Sequence, residues 1–300
     1  MKQYSALNWL VPLIAILALL TTCVGLFTPS EGNLMTDQTV RGEKIEVWGQ
    51  GFYKYDTPIG ATGFAAADVI TLFIALPLLI ISFMMYRRGS LKGGLLLSGT
   101  LSDFLYNYTS MGFGAAYNNM FLAYTLIFSA SLYGLILALL SFDLETLPSH
   151  FGPDLPRKGI SIFLIVSGVI LSLIWLVLTI IPALLASKAP PEAYYYTTFT
   201  TGIIDIGIVA PALLLAGVLI RRGTPFGYLL ASTMLIFTCI LGANLTAAGI
   251  VQVTKGVIAA GQAMAFTVPF VILSLIAVWF TILLFRNFSE NAQRLQWSSQ

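Results

Sequence analysis

Long apolar runs separated by short polar segments dominate the chain. Eight runs are each about twenty residues or longer, enough for a helix to cross about 30 Å of hydrocarbon. They occupy residues 8–27, 64–86, 93–112, 117–142, 159–186, 201–220, 226–250 and 260–285. The runs lack the two-residue alternation of a barrel strand, and a bilayer cannot hydrogen-bond an open backbone. The pattern therefore predicts an all-α integral membrane protein with eight transmembrane helices.

One polar segment, residues 28–62, is longer than the others. Within it, residues 44–48 and 52–55 alternate between apolar and polar side chains on either side of the glycine-rich residues 49–51. Such an arrangement is typical of two strands joined by a tight turn. We expect a small extracytoplasmic β-hairpin in this loop.

The sequence matches itself when it is shifted by 134 residues. Under this offset Pro77 falls on Pro211, and the Arg-Arg-Gly triplet at 87–89 falls on the one at 221–223. Ten of the twenty-eight positions from 72 to 99 are identical. We interpret the match as two four-helix membrane repeats, residues 1–142 and 159–286, joined by a linker at 143–158 and followed by a tail at 287–300. Because each repeat has an even number of spans, the two repeats should be parallel, related by an axis near the membrane normal.

The distribution of basic residues predicts an orientation. Ten of the fifteen lysines and arginines fall on one side of the predicted membrane, at residues 2, 87, 88, 92, 157, 158, 221, 222, 286 and 294. The positive-inside rule assigns that side to the cytoplasm. We therefore expect a cell-membrane protein with both termini in the cytoplasm and the long loop outside.

Composition excludes several classes of protein. The chain is 57% hydrophobic and only 9% charged, with a net charge of +2. The high hydrophobic fraction and low charged fraction exclude a soluble or disordered chain. The small net charge provides no excess of basic residues to bind the phosphates of nucleic acid. Cys23 and Cys239 are far apart, and His150 is the only histidine. We expect no cofactor and no metal site, assign no catalytic residues, and consider an enzyme less favoured because no known catalytic motif is present.

Three acidic residues lie within predicted spans, where a carboxylate costs at least about 2.5 to 3.5 kcal/mol unless it faces protein or water. Asp103 lies near the middle of the third span, while Asp68 and Asp205 lie near the outer ends of the second and sixth. No lysine, arginine or histidine lies at a comparable depth to neutralise Asp103. It should therefore carry a proton, or lie beside water, a metal cation or a cationic ligand. We expect it to face protein or a water-filled cavity rather than lipid.

Other polar and aromatic residues cluster toward the outer ends of the same spans. The candidate ligand or ion site comprises Asp103, Asn107, Asp68, Asp205, Tyr106 and Asn118. Tyr194, Tyr195 and Tyr196 lie near the sixth span, and Asn244 and Gln252 could extend the surface in the second half. Carboxylates, amides and tyrosine rings around a cavity suit a proton, a metal cation or an organic cation. The structural alternative is an interfacial aromatic belt with buried hydrogen bonds that hold helices together.

Three functions follow from these alternatives. The first is a transporter or membrane ligand-binding protein for a cation, either proton-coupled or specific for a small organic cation. The second is a non-catalytic structural or accessory subunit with an unknown protein partner, and the third is a lipid-active membrane enzyme. A cavity that reaches Asp103 would favour the first, and a dry Asp103 pocket the second. A groove open to lipid with two close carboxylates would favour the third.

Overall fold

The computed structural model describes residues 1–39, 42–187 and 198–290, and within these ranges the protein is mostly helical. Eight helices in the described ranges have 20 residues or more. They are α1 (Leu7–Phe27), α2 (Pro58–Arg87), α3 (Leu91–Gly114), α4 (Phe121–Leu140), α5 (Arg157–Leu185), α6 (Thr200–Arg221), α7 (Pro225–Thr254) and α8 (Ala260–Arg286). Four residues named in the sequence analysis lie outside the described residues: Tyr194, Tyr195, Tyr196 and Arg294.

Seven of these helices, all except α3, are long and apolar enough to cross a membrane. The protein is therefore a multi-pass membrane protein. Helix α3 has 24 residues, about 36 Å of helix, but is more polar and contains Lys92 and Asp103. Its polarity is explained by its position, because α3 packs against α2, α4 and α7 and most of its polar side chains face protein.

A two-stranded antiparallel sheet stands before α2. Strand β1 (Met35–Gln38) pairs with β2 (Lys44–Val47), so that Met35 lies opposite Val47. A two-stranded sheet therefore exists in the predicted loop, and β2 overlaps the predicted strand at 44–48. The predicted partner strand at 52–55 is wrong. Those residues form a turn that directs the Tyr53 side chain into the helices, where it is 4% exposed. The side of the molecule that carries the sheet is called the hairpin end below.

Three long helices contain one turn of π-helix shortly before a proline. These turns are Thr71–Ala75 before Pro77, Leu176–Ile180 before Pro182 and Asp205–Val209 before Pro211. In each, the residue preceding the proline donates its backbone N–H to the carbonyl five residues earlier. A proline ring collides with the carbonyl four residues earlier, and the wider turn relieves that collision. The turns in α2 and α6 are 134 residues apart.

The turn between α2 and α3 has the same local structure as the turn between α6 and α7. Gly89 and Gly223 end the preceding helices with φ angles of 83° and 69°, which glycine adopts readily. Ser90 and Thr224 then cap the following helices. Each hydroxyl accepts the backbone N–H of the glycine three residues later, at 3.1 Å and 3.2 Å. Such a cap stabilises a helix by about 1 kcal/mol.

Helices α3 and α7 pack together at the centre of the molecule. The hydroxyl oxygens of Ser98 and Thr233 lie 3.0 Å apart, and Gly99 lies directly against Ile236. Gly99 and Thr233 are 134 residues apart, so equivalent points of the sequence match meet at this contact. On the two sides of it, the first part of α2 packs on α7 and the first part of α6 packs on α3.

The side opposite the hairpin end carries the two Arg-Arg-Gly turns and is called the basic end below. Residues between α4 and α5 fold onto it, and Phe151 forms an isolated antiparallel bridge with Phe288 beyond α8. Glu290 accepts the backbone N–H of Leu91 at the start of α3, at 2.9 Å. The predicted linker is thus an ordered layer attached to the last described residues.

Candidate functional site

A cavity of about 690 Å³ lies between the helices of the first and second halves at the hairpin end. Residues from β2, α2, α3, α5, α6, α7 and α8 form its walls. Its polar side chains are Glu46, Thr57, Ser110, Thr198, Thr200, Thr201, Asp205 and Gln252, and its aromatic rings are Phe64, Tyr106, Trp175, Phe199 and Phe270. The remaining walls are largely apolar, which is typical of sites for small molecules. We call it the Asp205 cavity.

Asp205 begins the π-helical turn of α6 and is 4% exposed. Its Oδ2 atom accepts the indole N–H of Trp175 at 2.7 Å. Its Oδ1 atom is buried and completes no hydrogen bond within the described residues. None of the described residues that line the cavity is a lysine, arginine or histidine. The carboxyl group is therefore short of one partner, which a proton or a cationic ligand could supply.

Tyr106 separates this cavity from Asp103. Its ring lines the Asp205 cavity and packs edge-on against Phe237 at 5.6 Å. Its phenol lies near enough to Asp205 to be a second, weaker hydrogen-bond donor to that carboxyl group, and it also interacts electrostatically with Asp103. Asp103 is 1% exposed and is not among the described residues that line the cavity. The expectation that Asp103 faces protein rather than lipid is confirmed. A role in binding stays a prediction.

Two amides hold the Asp103 carboxylate. Asn107 donates its Nδ2 hydrogen to Oδ2 at 3.1 Å, from one turn further along α3. Asn244 of α7 donates to Oδ1 at a longer 3.4 Å, and its own Oδ1 atom is buried without a partner in the described structure. Asp103 thus links α3 to α7, close to where the two halves meet.

Asp68 lies in a separate cluster within the first half and is fully buried. Its Oδ2 atom accepts the phenolic hydrogen of Tyr53 at 2.7 Å, and Gly25 of α1 lies directly against the same oxygen. Burial raises the pKa of Tyr53 well above its ordinary value of 10.0, and the negative charge of Asp68 raises it further. Tyr53 therefore stays protonated and acts as a donor at neutral pH.

Asp68 and Asp205 have similar hydrogen bonds, although only Asp205 also has a tyrosine phenol, that of Tyr106, near its carboxyl group. In both, Oδ2 accepts one hydrogen from an aromatic side chain at 2.7 Å, and Oδ1 is buried with no hydrogen-bond partner among the residues described. The two differ in access. The loop before α2 supplies Tyr53 and covers Asp68, whereas Asp205 lines a cavity.

Asn118 has a local role in the turn between α3 and α4. Its Nδ2 atom donates to the carbonyl of Ala116 at 3.2 Å, and its Oδ1 atom accepts the backbone N–H of Met120 at 2.9 Å. Asp56 accepts the backbone N–H of Ala116 at 2.7 Å, which ties the external loop to this turn. Both ends of the Asn118 amide therefore have hydrogen-bond partners within the protein, and a structural role accounts for this residue without a ligand.

The structure thus places the six predicted residues in several settings. Asp205 and Tyr106 line the cavity, Asp103 and Asn107 form the amide cluster behind it, and Asp68 and Asn118 lie elsewhere in the first half. Sequence reasoning missed Trp175, Phe199 and Glu46, which also line the cavity. Trp175 is an aromatic residue in an apolar run, and no local pattern marks it as the partner of an acid thirty residues later.

In the described part of the chain, no three histidine, cysteine, aspartate or glutamate side chains lie together as a metal site would require. No protein-family model, no curated protein and no solved structure matches the chain.

Proposed function

We propose that the protein binds a small cationic molecule in the Asp205 cavity and transports it across the membrane. The observation that carries this proposal is a buried carboxyl group with one unpaired oxygen, at the wall of a cavity between the two halves. A positive charge beside Asp205 would complete its coordination. The rings of Tyr106, Trp175 and Phe199 present π-faces that also attract cations.

The architecture proposed for this function is two parallel repeats of four helices, residues 1–142 and 159–286. Four matched features at one offset support it: the π-helical turns in α2 and α6, the prolines after them, the glycine turns and the hydroxyl caps. The contact of Gly99 and Thr233 would then lie near the axis that relates the repeats. Binding sites at repeat interfaces are common in transporters.

The proposed orientation places the hairpin end outside the cell and both termini in the cytoplasm. The concentration of arginine and lysine at the basic end supports it. With this orientation the Asp205 cavity faces outward, and Glu46 on β2 adds a second acidic group near its rim.

A non-catalytic accessory subunit is the second candidate, and the Asp103 cluster favours it. Asp103 is surrounded by amides rather than reached by the cavity, as expected for a residue that holds helices together. The lipid-active enzyme remains a third alternative, with no observation in its favour beyond the acidic side chains of the cavity.

Uptake of radiolabelled tetraethylammonium into proteoliposomes tests the proposal. We expect uptake above that of empty liposomes, and a loss of at least about tenfold in Asp205→Asn, because the amide keeps the size of the side chain but not its charge. Asp68→Asn is the matched control and should retain uptake. Repeating the uptake with a pH gradient across the same vesicles shows whether cation uptake is coupled to proton movement. Equal uptake by wild type and empty liposomes would make the accessory subunit the better account.

A further inference from the structure

A second depression adjoins the Asp205 cavity and has the opposite chemistry. It is a groove of about 460 Å³ between the last turns of α5 and the first turns of α6. All its lining residues in the described structure are apolar, among them Ile180, Leu184, Ile203 and Gly207. Ile203 and Leu184 are 59% and 72% exposed on the outside of the helices. The groove therefore faces the hydrocarbon of the bilayer.

Phe199 belongs to both depressions. Its ring packs edge-on against Trp175, with 4.9 Å between ring centres, and Trp175 in turn donates to Asp205. On the same helix, Asp205 lines the cavity while Ile206 and Gly207, the next two residues, line the groove. The ring of Phe199 and the backbone of α6 thus separate the carboxylate from an apolar surface.

We propose that the ligand is an amphiphilic cation, with its charged head beside Asp205 and an alkyl chain that passes Phe199 into the groove. This inference rests on the proposed function and specifies its substrate class. The charge of Asp205 selects the head, and the apolar groove removes the chain from water. A compact cation would need only the cavity. A ligand with both parts would reach the site from the outer leaflet of the membrane.

Substitution of glycines by a larger residue can fill the Asp205 cavity and the groove separately, and a third glycine provides a control. Gly63 lies in the wall of the Asp205 cavity, Gly207 in the wall of the groove and Gly261 in neither. All three are helical, and a Cβ atom added at any of them would have no neighbouring side chain or distant backbone within 4 Å. Substitution of each by leucine should therefore fold, since leucine also has a higher helix propensity than glycine.

The experiment measures binding of decyltrimethylammonium and tetramethylammonium to the protein in lipid nanodiscs, corrected for partitioning into empty nanodiscs. In Gly207→Leu we expect decyltrimethylammonium affinity to fall about tenfold or more and tetramethylammonium affinity to change less than about twofold. In Gly63→Leu both affinities should fall, and in Gly261→Leu neither should change.

The outcomes separate the two proposals. Loss of decyltrimethylammonium binding in Gly207→Leu alone supports the amphiphile. Equal binding of both probes by wild type, unchanged in Gly207→Leu but reduced in Gly63→Leu, overturns the amphiphile and leaves the cation site standing. Absence of binding by either probe to the wild type overturns the cation site itself, and the amphiphile with it.

Discussion

Asp68 and Asp205 show how much a residue's role depends on contacts that sequence does not reveal. Both acids could be recognised as costly within an apolar span, and both have one bonded and one unpaired oxygen. Their partners, Tyr53 and Trp175, come from the external loop and from another helix. Such partners are set by packing across the molecule, so the sequence indicated that the acids need partners without indicating which ones.

Tyr53→Phe should destabilise the protein by about 1 to 3 kcal/mol, because it removes the only hydrogen donor that Asp68 has in the described residues. Thermal unfolding in detergent measures this. Since the folded-state pKa of Tyr53 is raised, the contribution of its hydrogen bond is fully present below pH 10.0 and is lost as pH rises through the raised value. The difference in stability between wild type and Tyr53→Phe should shrink accordingly. A difference that is absent at neutral pH would show that the bond contributes nothing.

Asp103→Asn should be tolerated better than Asp103→Leu. The amide keeps an acceptor for Asn107 and gains an N–H group. Rotation of the Asn244 amide, whose Nδ2 faces Asp103 in the wild type, lets its Oδ1 atom accept that hydrogen. Leucine leaves both neighbouring amides without their acceptor, which costs about 1 to 3 kcal/mol. Thermal unfolding of the two variants checks the ranking. Equal stability of Asp103→Leu and wild type would mean that the amide cluster does not join α3 to α7.

At the scale of helices and strands, the sequence predicted the features that depend on the residues of one segment alone. The apolar runs located the long helices, with the largest displacement at the start of α2, predicted at residue 64 and observed at Pro58. The offset match located the glycine turns that end α2 and α6. The π-helical turns were not predicted, although one of them begins at Asp205. The second hairpin strand was misplaced, because burial of Tyr53 outweighed the alternation of residues 52–55.

Pro211→Ala should lower cation binding by several-fold, with Pro77→Ala as its matched control. Without the proline, the π-helical turn at Asp205–Val209 can relax toward α-helix, which rotates Asp205 relative to the wall of the cavity. The equivalent change in α2 affects a turn outside the cavity walls. The test compares the tetraethylammonium affinity and the thermal unfolding temperature of the two variants with those of the wild type. Unchanged binding by a folded Pro211→Ala variant would show that the proline is not needed to orient Asp205.

For the whole molecule, orientation follows from charge distribution alone, since nothing in the packing of the helices distinguishes outside from inside. The hairpin end and the basic end are opposite sides of one bundle. The assignment of the hairpin end to the outside is therefore open to a direct chemical test.

Single cysteines should report this orientation when Cys23 and Cys239 are replaced by alanine. Gly42→Cys, in the loop between β1 and β2, should react with a membrane-impermeant maleimide added to intact cells. Glu145→Cys, exposed at the basic end, should react only after the cells are opened. The reverse pattern would invert the topology, and place the Asp205 cavity on the cytoplasmic side.

The central claim is that Asp205, rather than the similarly bonded Asp68, binds a cation. Equilibrium binding of tetraethylammonium to the purified protein in nanodiscs tests it most directly, in wild type, Asp205→Asn and Asp68→Asn. We predict saturable binding to the wild type, a loss of about tenfold or more in Asp205→Asn, and near wild-type affinity in Asp68→Asn. Equal affinity of wild type and Asp205→Asn, with both proteins folded, would contradict the account.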